Sequence, residues 1–416
     1  MAGNGSRRPR LERRHWVLLA LLGGATFFEG YDLNLVSVAL KQIRHSFGLT
    51  QSSASLWLGV LYLGALPAVW LTRQADRKGR RRILLVSVLG YCIATGLTAL
   101  APNIYVFVGC QFCARGFLGT EQAVAWVMVA EELPASSRGF GFAWLATSAA
   151  VGVGASSILF GPVGISWRWL YAAAAPPLLA LAFLRRRLPE SRRFDQAREQ
   201  GALVRDWRQI LQPPHRRWLW LLCLTGILGA MTTHAVALAP DFLQTQRHLS
   251  AATVGWLLIV GGVPAIGVQM AAGPLSDRLG RKFVGCMFAS LAVVGALLFF
   301  FAAHSPLSFG LCIGLTLSGS LGARPALGAF TTELFPTQLR AFGGAAVSVA
   351  LVLGEVLSLT LGGLLLRVFG NLPDTVAFLI LGPVVLIFVV ARWFPETSGR
   401  ELEAIAPVED DPARAR

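Results

Sequence analysis

The chain has 416 residues, of which 54% are hydrophobic and only 14% are charged, and its formal net charge is +15. Soluble domains carry about 25% charged residues, and here the stretches 83–114 and 283–323 contain no Asp, Glu, Lys or Arg. About 20 apolar residues suffice to cross a bilayer. The composition therefore excludes soluble and disordered chains and predicts an integral membrane protein.

The positive charge is concentrated in alternate loops. Clusters of Arg and Lys lie before the first predicted span, after the second and the eighth, and throughout 185–217, whereas the intervening loops hold few cations. Basic loops remain on the cytoplasmic side of a membrane. This pattern predicts a multi-pass protein of the plasma (inner) membrane with both termini in the cytoplasm, and it argues against binding of nucleic acid.

Hydropathy predicts an all-α membrane protein with twelve transmembrane helices. The first six form a bundle within 1–184 and the last six a bundle within 218–394, with a cytoplasmic linker at 185–217 and a cytoplasmic tail at 395–416. In chain order the spans lie near 16–38, 54–72, 83–101, 104–128, 140–161, 167–184, 218–240, 251–275, 283–303, 307–332, 341–366 and 374–394.

Three landmarks of the first half recur in the second, in the same order. The run DRKGR at 76–80 returns 201 residues later as DRLGR, the pattern ExxPxxxR that starts at Glu131 returns 202 residues later at Glu333, and the PES at 189–191 returns 206 residues later as PET. Parallel repeats of six helices imply two related halves with a substrate site between them. This architecture is typical of a carrier.

The run GPLSDRLGRK at 273–282 resembles the loop signature of the major facilitator superfamily. In that family the loop latches helices during the switch between conformations, and the resemblance implies the same twelve-helix fold. The first-half copy departs from the signature at Thr72 and Gln74. The residues that the resemblance assigns to conformational switching are Asp76, Arg77, Gly79, Arg80, Glu131, Arg138, Gly273, Asp277, Arg278, Gly280, Arg281, Glu333 and Arg340.

Other runs narrow the resemblance to one branch of the superfamily. ELFPTQLR at 333–340 and PETSGRELE at 395–403 resemble the sugar-porter and organic-ion branch. The EGYD at 29–32 is similar to motifs of sugar porters and of aromatic-acid/proton symporters. The resemblance implies a secondary transporter coupled to H+, which works as a monomer without a bound cofactor.

Ionisable residues inside predicted spans are expensive to bury and therefore indicate function. Glu29 and Asp32 lie three residues apart on one face of the first span, and Arg115 lies in the fourth. Related proton symporters pair an Asp of the first span with an Arg of the fourth, whose position here is taken by Gln111, one turn before Arg115. We hypothesise that Asp32 carries the coupled proton, with Arg115 as its counter-charge and Glu29 or Glu121 assisting. The alternative is a fixed ion pair that joins the two helices.

The second half offers candidate substrate contacts. Arg324 in the tenth span can bind a substrate carboxylate through two parallel hydrogen bonds, or it can form a bridge to Glu355 in the eleventh. His234 can sense pH, donate to substrate, or serve only in packing. Gln111 and Tyr31 complete the candidate substrate set.

Absent residues discriminate between substrates. Sugar porters carry glutamines in the seventh helix and a Trp in the tenth, where this chain has Leu228, Gly229 and Gly328. The six cysteines all lie in predicted spans and predict neither a disulfide nor a metal site. No nucleophile–base set or nucleotide-binding loop indicates an enzyme. The sequence thus favours proton-coupled symport of a small organic acid (an aromatic or other monocarboxylate); the alternatives are a proton-coupled exporter of drugs or amphipathic metabolites, a sugar/proton symporter and a non-transporting membrane sensor.

Overall fold

The computed structural model describes residues 11–134, 137–186, 210–213, 215–335 and 339–398, and all regular structure in these residues is helical. The side chains of 76–78, 130, 138, 139, 332 and 341 lie outside the described set. Most of the predicted linker (185–217) and of the predicted tail (395–416) therefore also falls outside the described residues.

The chain forms two compact units. The first consists of Met1–Phe47 and Val60–Leu203, and the second of Gly48–Gly59 and Val204–Arg416. The second unit therefore includes the beginning of a helix that continues in the first. The helices up to the linker are α1 (Arg13–Val38), α2 (Leu40–Phe47), α3 (Gln51–Leu63), α4 (Pro67–Lys78), α5 (Arg80–Ala99), α6 (Ile104–Glu132), α7 (Arg138–Phe160) and α8 (Trp167–Arg185).

The helices after the linker repeat this plan. A 3-10 turn at Ala230–Thr232 follows the first of them, and a π-helical turn at Leu298–Ala302 extends the fourth. The helices are α9 (His215–Gly229), α10 (Thr233–Thr245), α11 (Ala251–Leu279), α12 (Arg281–Leu297), α13 (Pro306–Glu333), α14 (Arg340–Phe369), α15 (Leu372–Leu379) and α16 (Leu381–Trp393).

Two predicted spans are divided by proline. A helical proline has no N–H for the carbonyl four residues earlier. Pro67 accordingly begins α4 after α3 ends at Leu63, and Pro383 lies in the first turn of α16 after α15 ends at Leu379. The predicted spans 54–72 and 374–394 are each built from two helices for this reason.

Ten helical spans of the described residues are long and apolar enough to cross a membrane. Two further helices, α1 with 26 residues and α6 with 29, have the length but fall short in apolarity. These two carry Glu29, Asp32, Arg115 and Glu121. With them the fold has the twelve transmembrane helices that the sequence predicts.

Glycines let α1 and α7 pack backbone to backbone. A Cβ on Gly30 would overlap the carbonyl of Ala149, and a Cβ on Gly152 would overlap the carbonyl of Phe27. Small residues permit such close approach of membrane helices. The contact fixes one side of α1, while Glu29 and Asp32 on the same helix reach side chains of α6.

Candidate functional site

The polar site of the first unit is built by α1 and α6. Glu29 and Asp32 are three residues apart on α1, whereas Gln111, Arg115 and Gln122 recur on α6 at spacings of one and two turns, so each set shares a helix face. Asp32 meets Gln111 and Arg115, and Glu29 meets Gln122. This order places later residues of α1 beside earlier residues of α6, as antiparallel helices require.

Asp32 is 1% exposed. Arg115 acts on its carboxyl group electrostatically, without a direct ion pair among the described residues, and the Gln111 side chain lies nearby. Its Oδ1 atom has no hydrogen-bond partner within the described part of the chain. Asp32 is thus a buried acid on which Arg115 acts electrostatically, and its Oδ1 atom is buried and unpaired within the described residues.

Arg115 is also buried. Its guanidinium lies 3.7 Å from the centroid of the Tyr62 ring, and Nε and Nη2 lack hydrogen-bond partners among the described residues. A cation over an aromatic face is stabilised by about 0.5–2 kcal/mol, which is less than the several kcal/mol that a buried ion costs. Asp32 is the acid that interacts with Arg115 electrostatically, but the two form no direct ion pair among the described residues. Gln111, at the position of the family arginine, donates from Nε2 to Thr98 Oγ1 at 3.2 Å.

Glu29 and Glu121 form a second set that is distinct from Asp32 and Arg115. Gln122 Nε2 donates to Glu29 Oε1 at 2.5 Å. Glu121 forms an ion pair with Arg185, whose other terminal nitrogen, Nη2, donates to the carbonyl of Leu21 at 2.8 Å. Of the two residues predicted to assist Asp32, Glu121 is thus bound to a cation on α8.

Arg185 and Gln122 contact residues of this site but were not predicted from the sequence. Arg185 counts there as the first cation of the cytoplasmic linker, yet its side chain is 0% exposed inside the first unit. Its partner Glu121 is 64 residues away in sequence. The sequence feature that could have indicated the burial of Arg185 is its position at the end of an apolar run, one residue beyond the predicted span 167–184.

Three tyrosines interact electrostatically with Asp32. Tyr31 donates its hydroxyl to the carbonyl of Leu170 at 3.1 Å, and Tyr91 donates to the carbonyl of Phe28 at 3.0 Å. The Tyr171 hydroxyl has no partner among the described residues and interacts electrostatically with Asp32 and Arg115. Tyr31, a predicted substrate contact, is thus tied to α8, and Tyr171 presents the free hydroxyl.

His234 is fully buried in the second unit. Its Nδ1 lies 3.1 Å from Ser55 Oγ, and its backbone N–H donates to Ser358 Oγ at 3.2 Å. A Cβ on Gly362 would overlap the imidazole ring. His234 is therefore enclosed by α3, α10 and α14, and its Nε2 has no partner among the described residues.

Further hydrogen bonds hold the beginning of α3 in the second unit. Gln51 Nε2 donates to Asp241 Oδ2 at 2.7 Å, and Ser52 Oγ donates to the carbonyl of Gly363 at 2.7 Å. Arg367 Nε in turn donates to Ser52 Oγ at 3.0 Å. Asp241, one residue beyond the predicted seventh span, is completely buried and was also missed.

Arg324 and Glu355 are not joined. Arg324 in α13 is exposed, and no ion pair or hydrogen bond engages it within the described ranges. Glu355 in α14 is partly buried and has an interaction partner of its own. The sequence allowed Arg324 either to bind a substrate carboxylate or to form a bridge to Glu355. The ion pairs of the described residues do not include this bridge.

The switch residues form equivalent ion pairs in the two units. Arg80 at the start of α5 pairs with Glu131 at the end of α6. In the second unit Arg281 Nη2 lies 2.7 Å from Glu333 Oε1 and 3.0 Å from Asp277 Oδ1. The sequence repeat thus corresponds to an equivalent ion pair in each unit. It joins the start of α5 to the end of α6 in the first unit and the start of α12 to the end of α13 in the second.

Glycines with positive φ precede both of these arginines. Gly79 has φ +98° and Gly280 has φ +101°, in a region that side chains with a Cβ rarely adopt. Arg340 donates from Nε to the carbonyl of Phe335 at 3.1 Å, Arg278 is exposed, and Gly273 lies within α11. The side chains of Asp76, Arg77 and Arg138 lie outside the described residues.

Glu396 caps the N-terminus of α12. Its carboxylate accepts from the backbone N–H groups of Arg281 and Lys282, at 2.9 and 3.2 Å, and from those of Thr397 and Ser398. Partial burial raises the pKa of the Glu396 carboxyl, but the backbone donors outweigh this effect, so its pKa lies below the ordinary value of a glutamate. Thr397 Oγ1 also donates to Glu333 Oε2 at 2.6 Å.

A sequence model of the Major Facilitator Superfamily matches residues 22–236 and 227–412. The chain is similar to the niacin transporter NiaP of Acinetobacter baylyi. The two are 25% identical over an alignment 440 positions long, which covers 94% of this chain and 96% of that protein. It is also similar to the gallate transporter of Pseudomonas putida, at 26% identity over 410 residues that cover 88% and 90%.

Among solved structures, that of a D-xylose-proton symporter is similar, with a TM-score of 0.76, 20% identity, and coverage of 92% of this chain and 98% of that chain. At this identity the likeness concerns the fold. Because the family model matches both halves of the chain, the protein belongs to the Major Facilitator Superfamily and is a multi-pass membrane transporter, not an enzyme.

Proposed function

We propose that the protein is a proton-coupled importer of a small organic acid, an aromatic or other monocarboxylate. The observation that carries this proposal is the buried Asp32 beside Arg115, with an open oxygen on the acid and open donors on the cation. The basic loops and both termini face the cytoplasm in this proposal, as the charge distribution predicts.

Asp32 and Arg115 have the chemistry of a coupling pair. An ionised Asp32 attracts the guanidinium of Arg115, and protonation abolishes that attraction. Arg115 remains charged in both cases because arginine does not deprotonate in proteins. Proton binding therefore releases a cation, and this release is the local change that alternating access can use.

The organic-acid substrate is supported from two sides. Niacin and gallate, which the names of two relatives specify, both carry a carboxylate. In this chain Arg324 presents an exposed guanidinium on α13 that is not engaged within the described residues. A guanidinium binds a carboxylate through two parallel charged hydrogen bonds. We therefore assign Arg324 to the substrate carboxylate.

The exporter alternative has no comparable support. The aromatic residues that could line a drug site are used in packing, since Trp126 stacks on Phe142 and Trp144 Nε1 donates to the carbonyl of Leu19 at 2.9 Å. These contacts lie within the first unit and engage both tryptophans, each of which remains more than a third exposed.

Uptake into proteoliposomes with an imposed inward proton gradient tests the proposal. We expect gradient-dependent accumulation of radiolabelled aromatic carboxylates such as nicotinate, and loss of that accumulation in Asp32→Asn. Asp374→Asn makes the same chemical change at an exposed position and should behave like the unmodified protein. Uptake in Asp32→Asn at the unmodified rate and with the same pH dependence would contradict the coupling role.

A further inference from the structure

Among the described residues of the first unit, more carboxyl groups than guanidinium groups are buried. Its carboxyl groups are Glu29, Asp32 and Glu121, and its guanidinium groups are Arg115 and Arg185. All five side chains are at most 7% exposed. If every group were ionised, the cluster would hold one negative charge without a partner in a water-poor environment.

The two arginines determine which carboxyl groups are ionised. Each guanidinium keeps its charge and therefore requires an anion when buried. Arg185 is bound directly by Glu121, and Arg115 is the cation that acts on Asp32. Arg185 is thus assigned to Glu121 and Arg115 to Asp32, so neither of the two buried guanidinium groups is left for Glu29.

Within the described residues, Glu29 interacts with a neutral amide and a like-charged acid and forms no ion pair. Gln122 donates one amide hydrogen bond to Oε1, and Oε2 has no partner among the described residues. The charged side chain that acts on Glu29 is Glu121, another acid. Around it α5 contributes Tyr91, α8 contributes Arg185, which is bound to Glu121, and α7 has no ionisable residue between 140 and 160.

We infer that Glu29 is a neutral carboxylic acid that keeps its proton throughout the transport cycle, and that Asp32 alone exchanges a proton. This inference deepens the proposed function and rests on it where transport is concerned. With Glu29 neutral, the carboxylates of Asp32 and Glu121 balance the guanidinium groups of Arg115 and Arg185, and the resting cluster carries no net charge.

The neutrality of Glu29 also determines the charge of the protonated cluster. When Asp32 accepts a proton, the cluster gains one positive charge, located on Arg115. If Glu29 were ionised instead, the protonated cluster would be neutral. The fixed proton on Glu29 thus makes the cluster alternate between a neutral and a singly positive state.

Infrared difference spectroscopy on the purified protein at neutral pH tests the fixed proton without any transport measurement. The spectrum of the unmodified protein minus that of Glu29→Gln should contain the C=O band of a carboxylic acid. The same band should persist in Asp32→Asn. A difference spectrum that contains only carboxylate bands would overturn the inference.

Gln122→Leu provides a second variant that leaves Glu29 in place. Removal of the single amide donor should shift the carboxylic acid band of Glu29, because one C=O loses its hydrogen bond. If the carboxylic acid band does not shift and carboxylate bands change instead, Gln122 donates to an ionised Glu29. That result would contradict the inference.

Transport separates this inference from the proposed function. Glu29→Gln reproduces a neutral side chain of the same shape, so its pH profile of uptake should match that of the unmodified protein, whereas Asp32→Asn should lose coupling. A shifted pH profile in Glu29→Gln, together with loss of coupling in Asp32→Asn, would overturn the fixed proton and leave the proposed function intact. Retained coupling in Asp32→Asn would instead refute the proposed function.

Discussion

At the scale of single residues, the structure divides the ionisable side chains of the first unit by partner. The family resemblance predicts that Asp32 on α1 interacts with Arg115 on α6. In the structure Arg115 acts on Asp32 electrostatically without a direct ion pair among the described residues, and the coupling role of the two stays a prediction. The pairing of Glu121 with Arg185 was beyond reach of the sequence. Hydropathy scores an arginine as polar whatever it binds, and nothing in the spacing of α8 identifies a partner on α6.

The pair formed by Arg185 and Glu121 should be important for stability. Arg185→Ala leaves Glu121 buried without its cation, which costs about 3–5 kcal/mol for a buried pair. We expect a large fall in the midpoint of thermal unfolding in detergent. Arg185→Met combined with Glu121→Leu removes both charges and should recover most of that loss.

The matched control is Arg14→Ala. Arg14 pairs with Glu12 at 2.8 Å, but both side chains are at least half exposed, and pairs of this kind contribute about 0–1 kcal/mol. Its unfolding midpoint should stay near that of the unmodified protein. If Arg14→Ala and Arg185→Ala lowered the unfolding midpoint equally, burial would not determine how much the pair of Arg185 and Glu121 contributes to stability.

At the scale of elements, the least apolar long helices carry the candidate site. Ten spans have the apolarity of membrane helices, and the other two, α1 and α6, hold the buried acids and Arg115. Glu29 on α1 accepts a hydrogen bond from Gln122 on α6, whereas Asp32 Oδ1 and two nitrogens of Arg115 have no partner among the described residues. A search by apolarity therefore identifies the scaffold and passes over the two helices that carry the proposed chemistry.

The start of α12 gives a prediction about pH. Because the pKa of Glu396 lies below its ordinary value in the folded protein, its carboxylate stabilises the fold above that ordinary value, and the contribution is lost as the pH falls through the lowered pKa. Thermal unfolding measured at a series of acidic pH values should show this loss. Glu396→Gln should lower stability near neutral pH and have a weaker dependence on acid; an unchanged pH dependence would contradict the capping role.

At the scale of the whole molecule, most of the fold could be predicted from the sequence. Uncharged stretches long enough to cross a bilayer predict the number of helices, and the family comparison confirms the fold. The repeat at Asp76 and Asp277 also anticipates the equivalent ion pairs of Arg80 and Arg281. Contacts such as His234 with Ser55 could not be predicted, because they join residues 179 apart that no repeat or period relates.

The direction of proton movement tests the central claim most directly. Proteoliposomes that enclose a pH-sensitive dye would receive nicotinate outside, with no initial pH gradient and with protein-free liposomes as the control for diffusion of the free acid. The account predicts carboxylate-dependent acidification of the interior that exceeds the control and is abolished by Asp32→Asn. Alkalinisation of the interior, or acidification equal to that of protein-free liposomes, would contradict proton-coupled import of an organic acid.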